Sequence, residues 1–343
     1  MSFTEKSHLT RLPDTKPSDR PPRFTESSKR GLVLIPLYDG YHTRNEVDRG
    51  LGISAIWARR SWMLLSDAAK YGIEVKFYVE NRIAGSVMSL FQRNGICGDD
   101  IIWFDGDQIE GALPKDGAYS TYGAKKLMLC MDDRFVDYEW VFCVDADLFV
   151  VSPSGEKLPF FEGFFGMMWG KPYLPAFWYA RMLTNEQGHS PREFGYYRDA
   201  DGGTTDASIE AFEERVDALL GSSEVTKRLK NDSQFLTVSG VITAFPARHF
   251  MSMRPDDSEF FVKGAEAVAS GELPFVLWSM ATGESLHDLT PLPFPMLSVA
   301  TGMPVDHYES FVEASESGNP FLLHYATSPI DKIWAEGIGV LCE

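Results

Sequence analysis

Cysteine is scarce in this chain, with four in 343 residues. Cys97, Cys130, Cys143 and Cys342 show no CxxC or CxH spacing, which weighs against a disulfide framework or a thiolate zinc site and points to a reducing compartment. Cys130 and Cys143 sit in apolar runs and read as core thiols. No apolar stretch is long enough to span a bilayer and no secretory leader is visible, so the expected location is the cytoplasm. Basic residues are outnumbered: 32 Lys and Arg against 49 Asp and Glu give a formal net charge of −17. That balance argues against broad adhesion to nucleic acid or anionic membrane, while leaving room for a local basic groove. No internal repeat is visible. What is present is an ordinary globular composition, long enough for one large domain or two small ones.

The most informative stretch runs from Trp140 to Val151, Trp-Val-Phe-Cys-Val-Asp145-Ala-Asp147-Leu-Phe-Val-Val. Its apolar, β-branched and aromatic content is that of a strand buried on both faces. Two ionised carboxylates at such a place lose hydration at a cost of several kcal/mol unless a cation offsets it. Alternate strand residues point the same way, so Asp145 and Asp147 can face one ion if the strand end kinks. Mg²⁺ and Mn²⁺ take oxygen ligands of this kind and bridge them to substrate phosphates. The competing reading is an acidic turn.

Met1 to about Lys29 is polar and proline-bearing and reads as a flexible arm. Gly31–Leu37 is a first strand. Ser54–Tyr71 has helical spacing and stops at Gly72, and Ile73–Val79 alternates as a second strand. Ile83–Asn94 is a short helix, and Ile101–Phe104 a third strand. Asp105-Gly-Asp107 repeats the acid spacing but reads as a turn. Tyr119–Phe135 is a helix carrying Lys125 and Lys126. Strand–helix alternation of this kind predicts a mainly parallel sheet with helices on both faces. Ligands of such sheets sit outside the carboxyl ends of the strands, where Asp145 and Asp147 lie.

The second half is less regular. Phe164–Trp169 reads as a strand, and Lys171–Gly203 as an aromatic excursion with little period. Ala207–Leu229 reads as a solvated amphipathic helix, and Val238–Phe245 as a strand with Gly240 allowing close approach. Phe260–Ser270 and Phe275 to about Leu289 read as helices, the latter carrying Glu284 and His287. Pro291–Pro295 reads as extended, and Phe321–Trp334 as a strand running into a polar loop.

Four features together resemble glycosyltransferases of the GT-A fold: the Asp145-Ala-Asp147 motif at the end of a fourth strand, the Lys-bearing helix before it, Ser239-Gly240-Val-Ile downstream, and the closing His324, Lys332 and Trp334. The closing segment is similar to that of the glycogenin and bacterial galactosyltransferase group, although Ala326 and Ile333 stand where Gly and Pro are commoner there. The resemblance covers most of Gly31 to Trp334. It implies an α/β fold of the GT-A type, with a Rossmann-like, mainly parallel central sheet and a smaller acceptor-side subregion. The expected organisation is a flexible arm over 1–29 and one catalytic domain over 30–343, with a nucleotide-sugar half at 30–151 and an acceptor half at 152–343.

The resemblance further implies a nucleotide-diphosphate sugar as donor, a UDP-sugar favoured, with Mn²⁺ or Mg²⁺ as cofactor and a saccharide or glycoconjugate hydroxyl as acceptor. Asp145, Asp147 and His324 are then the metal ligands, with Asp145 also near the donor ribose. Pro36, Leu37 and Tyr38 border the base and ribose, and Lys125 and Lys332 pair with the diphosphate. Glu284 is the candidate general base of an inverting reaction; in a retaining one the same region would supply a carboxylate or amide that stabilises the oxocarbenium-like state. Beside each stands a plainer reading: Tyr38 as packing, Lys125 and Glu284 as solvent-facing, His324 as a satisfied strand-end histidine.

Rival functions are a sugar-phosphate nucleotidyltransferase and a catalytically inactive binding module of the same fold. The former normally carries a Gly-rich basic loop after the first strand, which Pro36-Leu-Tyr-Asp-Gly-Tyr41 lacks. A protein or modified-nucleobase acceptor is a further alternative, and the acidic charge counts against nucleic acid.

Overall fold

The computed structural model describes residues 31–38, 45–106, 132–184, 206–221, 223, 234–248, 273–282, 286–300 and 312–326. The arm over 1–29, Asp107, Lys125, Lys126, the helix expected over 260–270, Glu284, Lys332 and Trp334 lie outside them.

Ten strands are described: β1 Gly31–Leu37, β2 Glu74–Glu80, β3 Ile101–Phe104, β4 Trp140–Val144, β5 Leu148–Val151, β6 Ala176–Thr184, β7 Gln234–Phe245, β8 His287–Asp288, β9 Met296–Ala300 and β10 Phe321–Ala326. With them go the α-helices α1 Asn45–Leu64, α2 Ala84–Arg93, α3 Phe160–Met168, α4 Asp206–Leu220 and α5 Leu273–Thr282, and residues 312–317 are helical as well. Seven strands form the central sheet in the order β3-β2-β1-β4-β7-β6-β8, and β5-β10-β9 form a second sheet. Strands β3, β2, β1 and β4 are parallel to one another, while β7 runs antiparallel to both β4 and β6. The expected class, α/β with a mainly parallel, Rossmann-like central sheet, is the class observed.

Side chains of β4 alternate between two apolar layers. Trp140 and Phe142 point into one layer, where Phe142 meets Phe160, Phe161 and Phe164 of α3 at ring separations of 5.9, 5.1 and 4.9 Å. The same layer takes Trp62 of α1 and Phe91 of α2. On the opposite face Phe275 of α5 packs on Phe177 and Phe245 at 5.1 and 6.1 Å. All residues of β1, β4 and β5 are buried. Strands covered on both faces read as continuous apolar runs, which is why these were legible.

Several sequence expectations are corrected. Phe164–Trp169 is not a strand: Phe164–Met168 lies in α3 and Trp169 is its C-cap. Buried Phe160, Phe161, Phe164, Phe165 and Met168 recur at helical spacing, while Glu162 and Gly166 are exposed. A window opening at Phe164 misses the first Phe pair and with it the period. The helix expected over Ser54–Tyr71 starts earlier and ends at Leu64; a separate 3-10 turn, Ala68–Tyr71, stops at Gly72 with φ of 65°. The break has a cause: Ser66 bridges to Leu158, with Leu158 N–H donating to Leu65 O at 2.7 Å and Asp67 N–H to Leu158 O at 3.1 Å. The helix expected to reach Leu289 ends at Thr282, and His287 lies instead on β8, an edge strand beside β6. Ala176–Thr184, within the supposed irregular excursion, is a nine-residue strand. Pro291–Pro295 is not extended: Leu292 N–H bonds back to Leu289 O and Phe294 N–H to Leu292 O. Asp105-Gly106 gains a packing reason for its glycine. A Cβ on Gly106 would collide with the carboxylate of the fully buried Glu80.

The start of α3 is held from a distance. Pro159 offers no capping side chain, and the buried Asp67 carboxylate accepts the Phe161 and Glu162 N–H groups, both at 2.9 Å. Burial pushes the Asp67 carboxyl above its usual range against the pull of these bonds. Asp67→Ala is expected to lower stability by about 1–2 kcal/mol, the usual cost of a lost N-cap, read as a shift of the urea midpoint at constant slope.

A pH dependence is written into β8. His287 Nε2 donates to Pro172 O at 2.8 Å, and burial, with Lys171 nearby, depresses the imidazole below its ordinary 6.5. A depressed histidine stabilises the fold fully above the unfolded value. That contribution is lost as pH falls through the folded one, because the unfolded chain takes up the proton first. The His287 contribution is therefore expected to fall from pH 7 toward pH 5, and His287→Gln to remove it, read as the difference between wild type and variant in urea titrations across that range.

Candidate functional site

The run Trp140–Val151 is two strands in two sheets rather than one. β4 ends at Val144, and the next strand, β5, pairs with β10 of the second sheet. Between them Asp145-Ala146-Asp147-Leu148 makes a tight turn closed by Leu148 N–H donating to Asp145 O at 3.0 Å. The kink that would let both acids face one ion is this turn.

Each end of the turn is anchored by a neighbouring element. Asp145 N–H donates to Val241 O of β7 at 2.9 Å. Just there the β6–β7 register shifts: Phe177 pairs with Thr243 but Trp178 with Ser239, a bulge that spans Gly240, Val241 and Ile242. Bulges of this kind re-aim a strand and cluster beside functional sites. At the other end Leu148 is opposite His324 in the antiparallel β5–β10 ladder. The second sheet thus carries a residue from near the end of the chain to the carboxyl end of β4.

The result is a cluster of two carboxylates and an imidazole. One ligand atom each from Asp145, Asp147 and His324 lie within 4.8 Å of one another, and among the described residues this is the one group of three or more His, Cys, Asp or Glu so arranged. His324 Nε2 is 3.5 Å from Asp147 Oδ1, and the two side chains are 16% and 25% exposed. The cluster is thus sheltered but reachable. Ligand bonds of roughly 2.0–2.6 Å place two donors of one ion up to about 4–5 Å apart, so these three atoms fit one metal centre with little movement. Carboxylates with a neutral imidazole suit Mn²⁺, and two acids with free positions for phosphate oxygens also suit Mg²⁺.

Of the other expected site residues, Pro36 and Leu37 are buried at the carboxyl end of β1, and Tyr38 follows, half-buried. β1 is in parallel register with β4, Gly31 opposite Trp140 and Leu34 opposite Cys143, so both carboxyl ends emerge on the same edge. On its other side Leu37 is level with Val79 of β2, one residue before buried Glu80. Lys125, Lys332 and Glu284 are not among the described residues. Sequence reasoning missed the supports of the turn, Trp62 and Ser61 on α1, which read as ordinary helix positions and carry no motif.

No family model matches the chain, and no curated protein does. Solved structures do resemble it. Mouse xyloside xylosyltransferase 1 in its apo form is 12% identical, over 88% of this chain and 98% of that one, at a TM-score of 0.45. Galactosyltransferase LgtC with donor and acceptor sugar analogues is 11% identical, over 91% of this chain and 95% of that one, at 0.41. Core-mannan synthase A from Aspergillus fumigatus, in a Mn/GDP form, is 8% identical, over 77% and 73%, at 0.38. The resemblance to glycosyltransferases found in the sequence is thus also met among solved structures. At these identities and scores it is a likeness of chain path, and the functional argument rests on the chain's own residues. Among the described residues no helix is long and apolar enough to cross a membrane.

Proposed function

We propose that this protein is a metal-dependent glycosyltransferase of the GT-A type, moving a hexosyl or pentosyl unit from a nucleotide-diphosphate sugar to a hydroxyl acceptor. The observation that carries the reading is the Asp145, Asp147 and His324 cluster at the carboxyl end of a mainly parallel sheet. That edge is where α/β sheets hold nucleotides. A UDP-sugar is the favoured donor, Mn²⁺ the favoured ion, and a saccharide or glycoconjugate the favoured acceptor. We read 30–343 as one catalytic domain and, on cysteine usage, place it in the cytoplasm.

In this reading the metal, when bound, supplies Lewis-acid neutralisation of the charge that develops on the leaving diphosphate. Asp147 and His324 hold it, and Asp145 shares it or accepts from the donor ribose. Pro36, Leu37 and Tyr38 border the base, with the Tyr38 ring available for stacking. Lys125 and Lys332 are assigned to the diphosphate oxygens. Glu284 is assigned to the acceptor hydroxyl, as general base if the configuration inverts.

A donor screen tests the assignment. UDP-, GDP-, CMP- and dTDP-sugars are added with and without Mn²⁺, and the melting temperature is read. A ligand that binds only the folded state raises it by mass action. One nucleotide class is expected to raise it only when metal is present. If none does so, the transferase reading falls and the acid pair is an acidic turn with no metal to hold.

A further inference from the structure

The cluster is built on the end of β5, and β5 is an edge strand: in the order β5-β10-β9 only one side has a strand partner. Leu148 lies opposite His324 and Phe149 opposite Leu323. Backbone groups of successive strand residues point to opposite sides, so one alternate set, here Leu148 and Val150, must find partners other than β10. Those partners come from α1. The indole Nε1–H of Trp62 donates to Leu148 O at 3.1 Å, and Val150 N–H donates to Ser61 Oγ at 2.9 Å. Both side chains are buried, Trp62 fully and Ser61 to within 1%. The Trp62 ring is itself wedged edge-on against Phe160 of α3 at 5.2 Å.

We propose that Trp62, assisted by Ser61, is a positioning residue for the metal centre: it fixes the strand that carries Asp147 in its turn and brings His324 alongside. This rests on the metal-site reading above. Leu148 is the residue after Asp147, closes the turn through its N–H, is clamped by Trp62 through its C=O, and faces His324 across the ladder. Release of that clamp frees the Asp147 side of the cluster while the Asp145 side stays tied to β7. Groups that orient ligands without touching the ion commonly alter metal affinity by about 10–100-fold when removed.

The test is Mn²⁺ binding alone, without donor, followed by loss of the free-ion electron paramagnetic resonance signal on wild type, Trp62→Phe, Ser61→Ala and Asp147→Ala. Trp62→Phe keeps an aromatic ring against α3 and removes the donor. It is expected to weaken Mn²⁺ binding about 10-fold or more, and Ser61→Ala, acting two residues further on, to weaken it less. A purely structural role predicts a lower melting temperature with unchanged Mn²⁺ affinity of the folded fraction, and that result overturns the inference. Should Trp62→Phe fail to fold, Ser61→Ala decides: affinity equal to wild type overturns the inference, weaker affinity at unchanged folded content supports it. If Asp147→Ala abolishes binding but neither α1 variant alters it, the positioning role fails and the metal site stands. If wild type binds no Mn²⁺, the metal-site reading itself fails and the positioning role with it.

Discussion

Asp147→Ala is expected to lower metal-dependent release of nucleoside diphosphate from the donor by about 10³-fold or more. Lewis-acid stabilisation of a developing phosphate charge contributes several kcal/mol, and each 1.36 kcal/mol is a factor of about ten in rate. Asp147 is half of the acid pair and the member in contact with His324, 3.5 Å away. Its removal leaves one carboxylate and an imidazole, a poor match for a hard divalent ion. The same variant should melt close to wild type when metal is absent. A partly exposed carboxylate–imidazole contact of this kind contributes about 0–1 kcal/mol, so the loss is one of chemistry and not of fold. Steady-state release assays with Mn²⁺ and with chelator, beside a melting curve, separate the two.

Phe142→Ala is expected to have the largest effect on stability, about 3–5 kcal/mol. The ring is fully buried at the centre of β4 and meets three rings of α3. Deleting it leaves a cavity between the sheet and the helix, bounded by rings that cannot all close in. Three residues further along the chain the turn with Asp145 begins, so the core that Phe142 fills also supports the site. Chemical denaturation should show a much lower midpoint. Substrate protection against unfolding should be weakened only to the extent that the folded fraction falls.

The parts of the fold that the sequence disclosed are those in which one local pattern decides the structure. β1 and β4 are apolar runs because both faces are covered; the limits of β1 and β3 were readable to the residue, whereas the run from Trp140 was carried past the end of β4 at Val144 to Val151. α3 was misread because Phe164–Trp169, taken alone, is too short to show a period that Phe160 and Phe161 complete. β6 was hidden because Ala176–Thr184 mixes aromatic, small and basic residues with no clean alternation, and its pairing with β7 is set by a bulge at Gly240–Ile242 rather than by regular register. β8 is two residues long, and no sequence pattern marks so short an edge strand.

The candidate site was legible to a different degree at each residue. Asp145 and Asp147 announce themselves, since carboxylates in an apolar run need a partner. What the run does not disclose is that the chain changes sheets at the turn that carries them. His324 was reached through the family resemblance, because no local signal links a histidine on β10 to a turn after β4; only the β5–β10 ladder does so. Trp62 and Ser61 were not reached at all. Their role depends on the unpaired side of an edge strand, a feature of topology that helical spacing on α1 cannot convey.

The central claim is that the chain uses a divalent ion on Asp145, Asp147 and His324 to transfer a sugar from a nucleotide. The most direct measurement is the release of nucleoside diphosphate from a panel of nucleotide-sugars by the purified wild type, with Mn²⁺ and then with excess chelator. The account predicts release from one nucleotide class, abolished by chelator, restored by added Mn²⁺ and absent in Asp147→Ala. Release that persists undiminished in chelator, or in Asp147→Ala with the protein folded, would contradict it.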